Sequence, residues 1–98
     1  MRGRRPRITP ENVLLHELIG LEAVVAESSN KLQVGLSGRI VDETMKTLVI
    51  ETPRGRKRVL KREVKLLLKL PDGTLVLVDG RELVGRPEDR LKKRVRSW

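Results

Sequence analysis

Two adjacent carboxylates, Asp42 and Glu43, are the side chains of this 98-residue sequence that come closest to a catalytic arrangement. A carboxylate pair can hold a divalent cation and activate water, as in a metal-dependent nuclease. Neighbouring strand residues point to opposite faces, however, so these two do not converge on one ion. No histidine base or glycine-rich phosphate loop accompanies them. We therefore expect a turn whose acids pair with nearby Arg or Lys, and we predict no catalytic residue.

Metal and thiol chemistry are disfavoured by composition. The chain has no cysteine, which excludes disulfides, thiolate nucleophiles and Cys-based zinc sites. Its single histidine, His16, lies among apolar residues and is expected to pack at the rim of the core. We therefore expect no cofactor and no metal to be bound by this chain. No apolar run approaches the roughly 20 residues of a membrane span, and no apolar region of a secretory signal follows the basic N-terminus. A cytoplasmic location is expected.

Positive charge is the strongest functional signal. The net charge is +9, and it is concentrated in residues 1–8, 54–65 and 86–98, as expected for a surface that meets a polyphosphate. Arginine adds bidentate geometry toward phosphate oxygens. The candidate RNA-binding residues are Arg4, Arg5, Arg7, Arg54, Arg56, Lys57, Arg58, Lys61, Arg62, Arg90, Lys92, Lys93, Arg94 and Arg96.

Aromatic residues are nearly absent, since the chain has no Phe or Tyr and its only Trp is Trp98. Binders of unstructured single strands need aromatic stacking platforms. Recognition is therefore expected to use the backbone and shape of a folded RNA. Composition alone does not separate RNA from DNA.

A helix is predicted to begin at Thr9-Pro10-Glu11, with Thr9 as N-cap, and to end at Gly20. Its apolar residues are expected to pack on the domain or on a protein partner, because a helix of about ten residues is unstable alone. This candidate protein-partner face comprises Leu14, Leu15, Leu18 and Ile19.

From Leu21 the apolar period changes to two, which predicts strands. Five or six short strands are expected, with Gly35 and Gly38 at bends of the second. Alternation is clearest at Val64, Leu66, Leu68 and Leu70, and Pro71-Asp72-Gly73 predicts the turn of a hairpin.

Residues 86–96 are predicted to form a second helix, with Pro87 and two acids in its first turn. Short strands with bends between two helices indicate a mainly β fold, a small and strongly bent antiparallel barrel with an N-terminal and a C-terminal α-helix. We expect one domain over residues 9–96. Residues 1–8 are expected to form a disordered basic tail, and 97–98 are the C-terminal end.

The stretch ESSNKLQVGLSGRIVDETMKTLVIET resembles the archaeal ribonuclease P protein component 1 family. The shared pattern includes the paired glycines Gly35 and Gly38, the corner at Val41, Glu43 and Thr44, and a basic strand containing Lys61. A PDGTLVLVDG hairpin and GRPEDRL at the start of the last helix continue it, and the similarity covers roughly residues 9–96. Leu66 and Leu68 stand where aromatics are common in relatives.

The resemblance implies an Sm-like barrel that acts as a protein subunit of ribonuclease P. In that family the RNA subunit cleaves precursor tRNA to generate the mature 5′ end, and Mg²⁺ is expected to serve that RNA. The protein stabilises the catalytic RNA and pairs with a zinc-ribbon subunit. It meets precursor tRNA only indirectly, and no membrane or small-molecule substrate is implied.

Two alternatives remain at this point, a ring-forming Sm-like RNA chaperone and a ribosomal-type RNA-binding protein. Gly38, Asp42 and Met45 are similar to a pattern of Sm proteins, although the Gly-to-Asp spacing is shorter. Val78-Asp79-Gly80 stands where Sm proteins have an Arg-Gly strand end.

Overall fold

The computed structural model describes residues 8–10, 13, 16–86 and 90. Six antiparallel strands form one sheet in the order β4-β3-β2-β1-β5-β6. The strands are β1 Glu22–Ser28, β2 Ser37–Glu43, β3 Thr47–Thr52, β4 Gly55–Leu60, β5 Val64–Lys69 and β6 Leu75–Asp79. Short 3₁₀ turns follow β1, β4 and β6 at Lys31–Gln33, Lys61–Glu63 and Gly80–Leu83. The mainly β prediction is confirmed.

One face of the sheet carries the core. In β5, Val64, Leu66 and Leu68 are buried and Leu70 continues the row beyond the strand, as period-two alternation predicts. Ile40, Leu48 and Ile50 extend the core across β2 and β3. Ile8, assigned to the tail by the sequence, is half-buried against this core. Residues 1–7 and 97–98 lie outside the described part of the chain.

Bulges bend the sheet without closing it. The register shifts between Val25 and Glu27 and between Ile40 and Asp42, which increases the local twist. The 3₁₀ turns after β4 and β6 come together, with Gly80 close to the carbonyl of Lys61. Over the described residues, however, β4 and β6 remain sheet edges with no ladder between them. The expected barrel is therefore wrong in its closure. The 3₁₀ turns after β4 and β6 contact each other, but the two edge strands do not pair.

The predicted N-terminal helix does not extend to Gly20. Among the described residues of this segment, the His16 amide donates to the Val13 carbonyl in a 3₁₀-type hydrogen bond, and residues 17–20 are non-helical. The Leu18 amide instead donates to a Glu43 carboxylate oxygen at 3.4 Å. Tertiary partners have replaced the helical ones there, so the prediction is wrong for residues 16–19.

The C-terminal helix falls almost entirely outside the described residues. Within them, the Arg90 amide donates to the Arg86 carbonyl at 3.0 Å, which is the hydrogen bond of an α-helical turn. The described segments contain no helix long and apolar enough to cross a membrane.

Candidate RNA-binding surface and a buried ionic cluster

Glu43 lies at the centre of a buried ionic cluster. Its Oε2 accepts from Lys61 Nζ at 2.8 Å and from Arg90 Nη1 at 2.7 Å. The side chains of Glu43, Lys61 and Arg90 are 1%, 0% and 4% exposed. The prediction that these acids pair with basic residues is confirmed for Glu43, with partners 18 and 47 residues away. The predicted turn is wrong for both acids, because they are the last two residues of β2.

Backbone carbonyls complete the coordination of both cations. Lys61 Nζ also donates to the carbonyls of Thr44, Gly85 and Met45, at 2.8, 2.9 and 3.3 Å. The Arg90 guanidinium donates in addition to the carbonyls of Leu83, Gly85 and His16. No buried side-chain N or O atom in the described regions lacks a hydrogen-bond partner. The cluster thereby joins the β2–β3 corner to both terminal segments.

The cluster holds two cations against one carboxylate. Burial lowers the pKa of Lys61 from its ordinary value, and the nearby Arg90 charge acts in the same direction. The hydrogen bond and charge of Glu43 oppose this shift without cancelling it. Desolvation is therefore the larger effect at this lysine.

This burial corrects two RNA-binding predictions. Lys61 and Arg90 were assigned to phosphate contact from their place in basic stretches, but both are buried and engaged with Glu43 and backbone carbonyls. Neither side chain can reach an RNA backbone in this conformation. No sequence pattern distinguished them from their exposed neighbours, because the distinction depends on contacts between distant segments.

The carboxylates of the corner do not form a metal site. Asp42 is exposed while Glu43 faces the interior, as strand alternation predicts. The Asp42 side chain accepts the Glu43 amide at 2.8 Å. Across the described chain, no group of three His, Cys, Asp or Glu residues is placed to hold a metal ion.

Exposed basic residues cluster along the edge strand β4. Arg54 precedes the strand, and Arg56, Lys57 and Arg58 lie within it, all exposed; Arg62 follows in the next 3₁₀ turn. Among the residues that the structure describes, no carboxylate lies within ion-pair distance of Arg54, Lys57, Arg58 or Arg62. The structure thus places five of the predicted RNA-binding residues on or beside one sheet edge.

Elsewhere the sheet surface carries compensated charge. The strand register aligns a row of alternating sign across five strands, formed by Lys69, Glu22, Arg39, Glu51 and Arg56. Two of its pairs are close, Arg39 with Glu22 at 3.7 Å and Arg56 with Glu51 at 3.6 Å. We call this row the charge ladder. Its cations are already partly neutralised, so they are weaker phosphate ligands than Lys57 or Arg58.

A further compensated pair lies at the end of β6. Arg81 Nη2 is 2.8 Å from Asp79 Oδ2, and hydrogen bonds from Arg81 lower the pKa of Asp79 to about 2. Asp79 also caps the Gly80–Leu83 turn through the Arg81 amide.

The predicted protein-partner face is only partly described. Leu18 is fully buried in the core, so it is unavailable to a partner, whereas Ile19 is 42% exposed. Leu14 and Leu15 lie outside the described residues. His16 is half-buried, and its carbonyl accepts from Arg90. Seven predicted RNA-binding residues also lie outside the described part, namely Arg4, Arg5, Arg7, Lys92, Lys93, Arg94 and Arg96.

Sequence reasoning missed an exposed apolar turn. Residues 31–33 form a 3₁₀ turn whose Leu32 side chain is 91% exposed, followed by the half-exposed Val34. The available signal was Leu32 between two loop polar residues, Lys31 and Gln33, in a segment without apolar period. The predicted second strand included Gly35, but the observed strand begins only at Ser37.

Comparison with known proteins identifies the family. A family model described as Ribonuclease P/MRP, subunit p29 matches residues 11–93. The chain belongs to this family. Ribonuclease P protein component 1 of Thermofilum pendens is 60% identical over 93 residues, covering 94% of this chain and 99% of that protein. The protein of the same name from Methanocaldococcus jannaschii is 49% identical over 89 residues, covering 91% and 94%.

A solved structure is similar in fold as well. It is described as Mth11, a homologue of the human RNase P protein Rpp29, with a TM-score of 0.57 and 47% identity over 76% of this chain and 97% of that one. These similarities confirm the resemblance noted from the sequence. The chain is a protein subunit of ribonuclease P, and thus part of the endoribonuclease complex that cleaves precursor tRNA.

Proposed function

We propose that this p29-family subunit binds the ribonuclease P RNA through the edge formed by β4 and its flanking turns, and that it performs no chemistry itself. The observation that carries the proposal is the set of four exposed cations, Arg54, Lys57, Arg58 and Arg62, that have no acidic partner among the described residues. Uncompensated arginines and lysines on one edge suit an RNA backbone, where each contact releases counterions.

The remaining assignments rest on the family. Association with the ribonuclease P RNA and other protein subunits follows from membership, and we propose the zinc-ribbon subunit as the direct protein partner. Mg²⁺ in the complex is assigned to the RNA, and precursor tRNA to indirect contact. A cytoplasmic location is proposed on the same basis.

Salt dependence tests the RNA-binding edge. Each phosphate contact contributes about 0.7–0.9 to the slope of log affinity against log salt concentration. We expect the triple variant Arg54→Ala/Lys57→Ala/Arg58→Ala to lower the slope for ribonuclease P RNA by about 2–3. The matched control, Arg39→Ala/Lys65→Ala/Arg81→Ala, removes the same charge from residues paired with Glu22, Glu27 and Asp79. Equal effects of the two triple variants would contradict a localised edge.

Reconstitution tests the subunit role. Ribonuclease P RNA and its sister proteins are assayed for cleavage of precursor tRNA with and without this chain. We expect the wild-type chain to raise the cleavage rate and the β4 triple variant to require lower salt to do so. Cleavage that is independent of the chain would overturn the role in RNA stabilisation.

A further inference from the structure

An apolar and basic groove of about 450 Å³ lies beside the RNA-binding edge. Leu32 and Val34 form one side, and Pro53, Arg54 and Lys57 form the other. No carboxylate lines it. The groove therefore offers an aliphatic surface next to two cations, a combination that suits a ligand with both an anionic and an apolar part.

The turn that presents Leu32 is held by hydrogen bonds at both ends. The Asn30 side chain accepts the Leu32 amide at 3.1 Å, and the Gln33 amide donates to the Asn30 carbonyl at 2.9 Å. Beyond the turn, the Gly35 amide donates to the Val25 carbonyl at 2.8 Å. Leu32 is thus held outward by an ordered turn, which lowers the entropic cost of binding through it.

The turn is also joined to the basic edge. Gln33 Nε2 donates to the carbonyl of Arg58 at 3.4 Å, so the apolar surface and β4 are connected directly. On β4, Lys57 shares its strand face with Val59, which is buried in the core. The Lys57 side chain lies at the rim of that core face, where it lines the groove.

We propose that this groove is a subsite for one unpaired nucleotide of the RNA, which deepens the proposed function and depends on it. Leu32 and Val34 contact the face of the base, while Arg54 and Lys57 hold the adjacent phosphates. An unpaired nucleotide is required, because bases stacked within a duplex do not offer their faces to a side chain. In a chain without Phe or Tyr, aliphatic contact takes the place of aromatic stacking.

Affinity measurements separate the groove from the basic edge. We expect Leu32→Ser to weaken binding to ribonuclease P RNA by about tenfold or more, since it removes an apolar contact that forms when the RNA binds, and to leave the salt slope unchanged. Lys57→Ala should lower the slope by about 0.7–0.9. Leu75→Ser is the matched control, because Leu75 is 60% exposed on the opposite edge strand, β6. Circular dichroism verifies the fold of each variant.

The lack of cysteine allows a direct test of the ligand. Leu32→Cys provides a single thiol to which an iron chelate can be tethered for local hydroxyl-radical cleavage of the bound RNA. We expect cleavage centred on unpaired nucleotides, and none from the same probe at Leu75→Cys.

The outcomes distinguish the two proposals. Cleavage by the Leu32→Cys probe only within uninterrupted duplex, or unchanged RNA affinity in Leu32→Ser, overturns the subsite. In either case the β4 triple variant remains an independent test of the RNA-binding edge. If Leu32→Ser no longer binds a sister protein subunit but binds the RNA normally, the groove is a protein-binding site. This outcome also overturns the nucleotide subsite. Wild-type binding that is independent of salt overturns the proposed function and the subsite with it.

Discussion

Glu43 illustrates how one buried carboxylate can determine the role of residues far away in sequence. It accepts from Lys61 and Arg90, and its second oxygen accepts the Leu18 amide. The sequence allowed the prediction that acids of this corner pair with basic residues, which holds for Glu43. It could not identify Lys61 and Arg90 as the partners, because both belong to basic stretches in which most other members are solvent-facing or outside the described residues.

Replacing Glu43 is expected to cost more stability than replacing one of its partners. Glu43→Gln leaves two buried cations without a counter-ion, and a loss of about 3–5 kcal/mol is expected. Lys61→Met leaves the neutral Glu43–Arg90 pair and sacrifices mainly hydrogen bonds to carbonyls, so about 1–3 kcal/mol is expected. Urea unfolding measures both. Asp42→Asn is the control at the exposed neighbour, with a change within about 0.5 kcal/mol. A larger loss in Lys61→Met than in Glu43→Gln would contradict this arrangement.

The lowered pKa of Lys61 predicts a pH dependence. Between that lowered value and the unfolded value of about 10.4, the unfolded chain binds more protons than the folded one at this site. The contribution of Lys61 to the free energy of unfolding therefore rises with pH through this window. Urea unfolding from pH 7 toward pH 10 should show wild type gaining stability relative to Lys61→Met. A constant difference between the two proteins would show that the pKa is not lowered.

At the scale of elements, the apolar alternation of the sequence correctly predicted strands and turns that depend on local interactions. The alternation from Val64 to Leu70 produced β5 as expected, and the Pro71-Asp72-Gly73 turn leads into β6. The predicted helix before Gly20 failed at its end, since the Leu18 amide and His16 carbonyl bind Glu43 and Arg90. Those partners are 25 and 74 residues away, beyond the reach of any pattern of capping or period.

Gly38 is predicted to be essential for the bent hairpin. A β-carbon at this position would overlap with the Glu51 carbonyl of β3, and a backbone atom in a ladder cannot move aside. We expect Gly38→Ala to destabilise the fold by about 2–3 kcal/mol in urea unfolding.

Gly73→Ala is the control for this substitution. Gly73 has a φ of +92° but open space around its β-carbon position, so only the backbone strain of about 1–2 kcal/mol applies. A smaller effect at Gly38 than at Gly73 would show that the strands separate readily there.

At the scale of the whole molecule, Arg90 fastens together segments that no strand pairing connects. Its guanidinium contacts the N-terminal segment at His16, the β2–β3 corner at Glu43 and the turn after β6 at Leu83. The sequence predicted the mainly β class and the basic character. The prediction of a barrel was wrong, because pairing of the edge strands β4 and β6 depends on how the 3₁₀ turns after them pack together.

Loss of Arg90 is expected to loosen the N-terminal segment before the sheet. In Arg90→Met, hydrogen exchange at the Leu18 amide should accelerate more than exchange at Val25, whose amide donates to the Leu36 carbonyl. The conservative variant Arg90→Lys keeps the charge but cannot reproduce the contacts of both Nη atoms, so intermediate exchange is expected. Uniform acceleration at both amides would indicate global destabilisation instead.

The charge ladder is expected to influence the orientation in which this protein and the ribonuclease P RNA approach each other. Its three cations and two anions leave one net positive charge over distances comparable to the Debye length of about 8–10 Å, so the ladder exerts little long-range attraction on a polyanion. Among the described residues, the β4 edge carries the cations that no carboxylate compensates, so it contributes most of the long-range attraction from this part of the chain. On the proposed function, we expect an approaching RNA to be turned toward that edge before contact. Because the ladder attracts the RNA only weakly, we expect it to favour docking through the β4 edge over docking through the ladder.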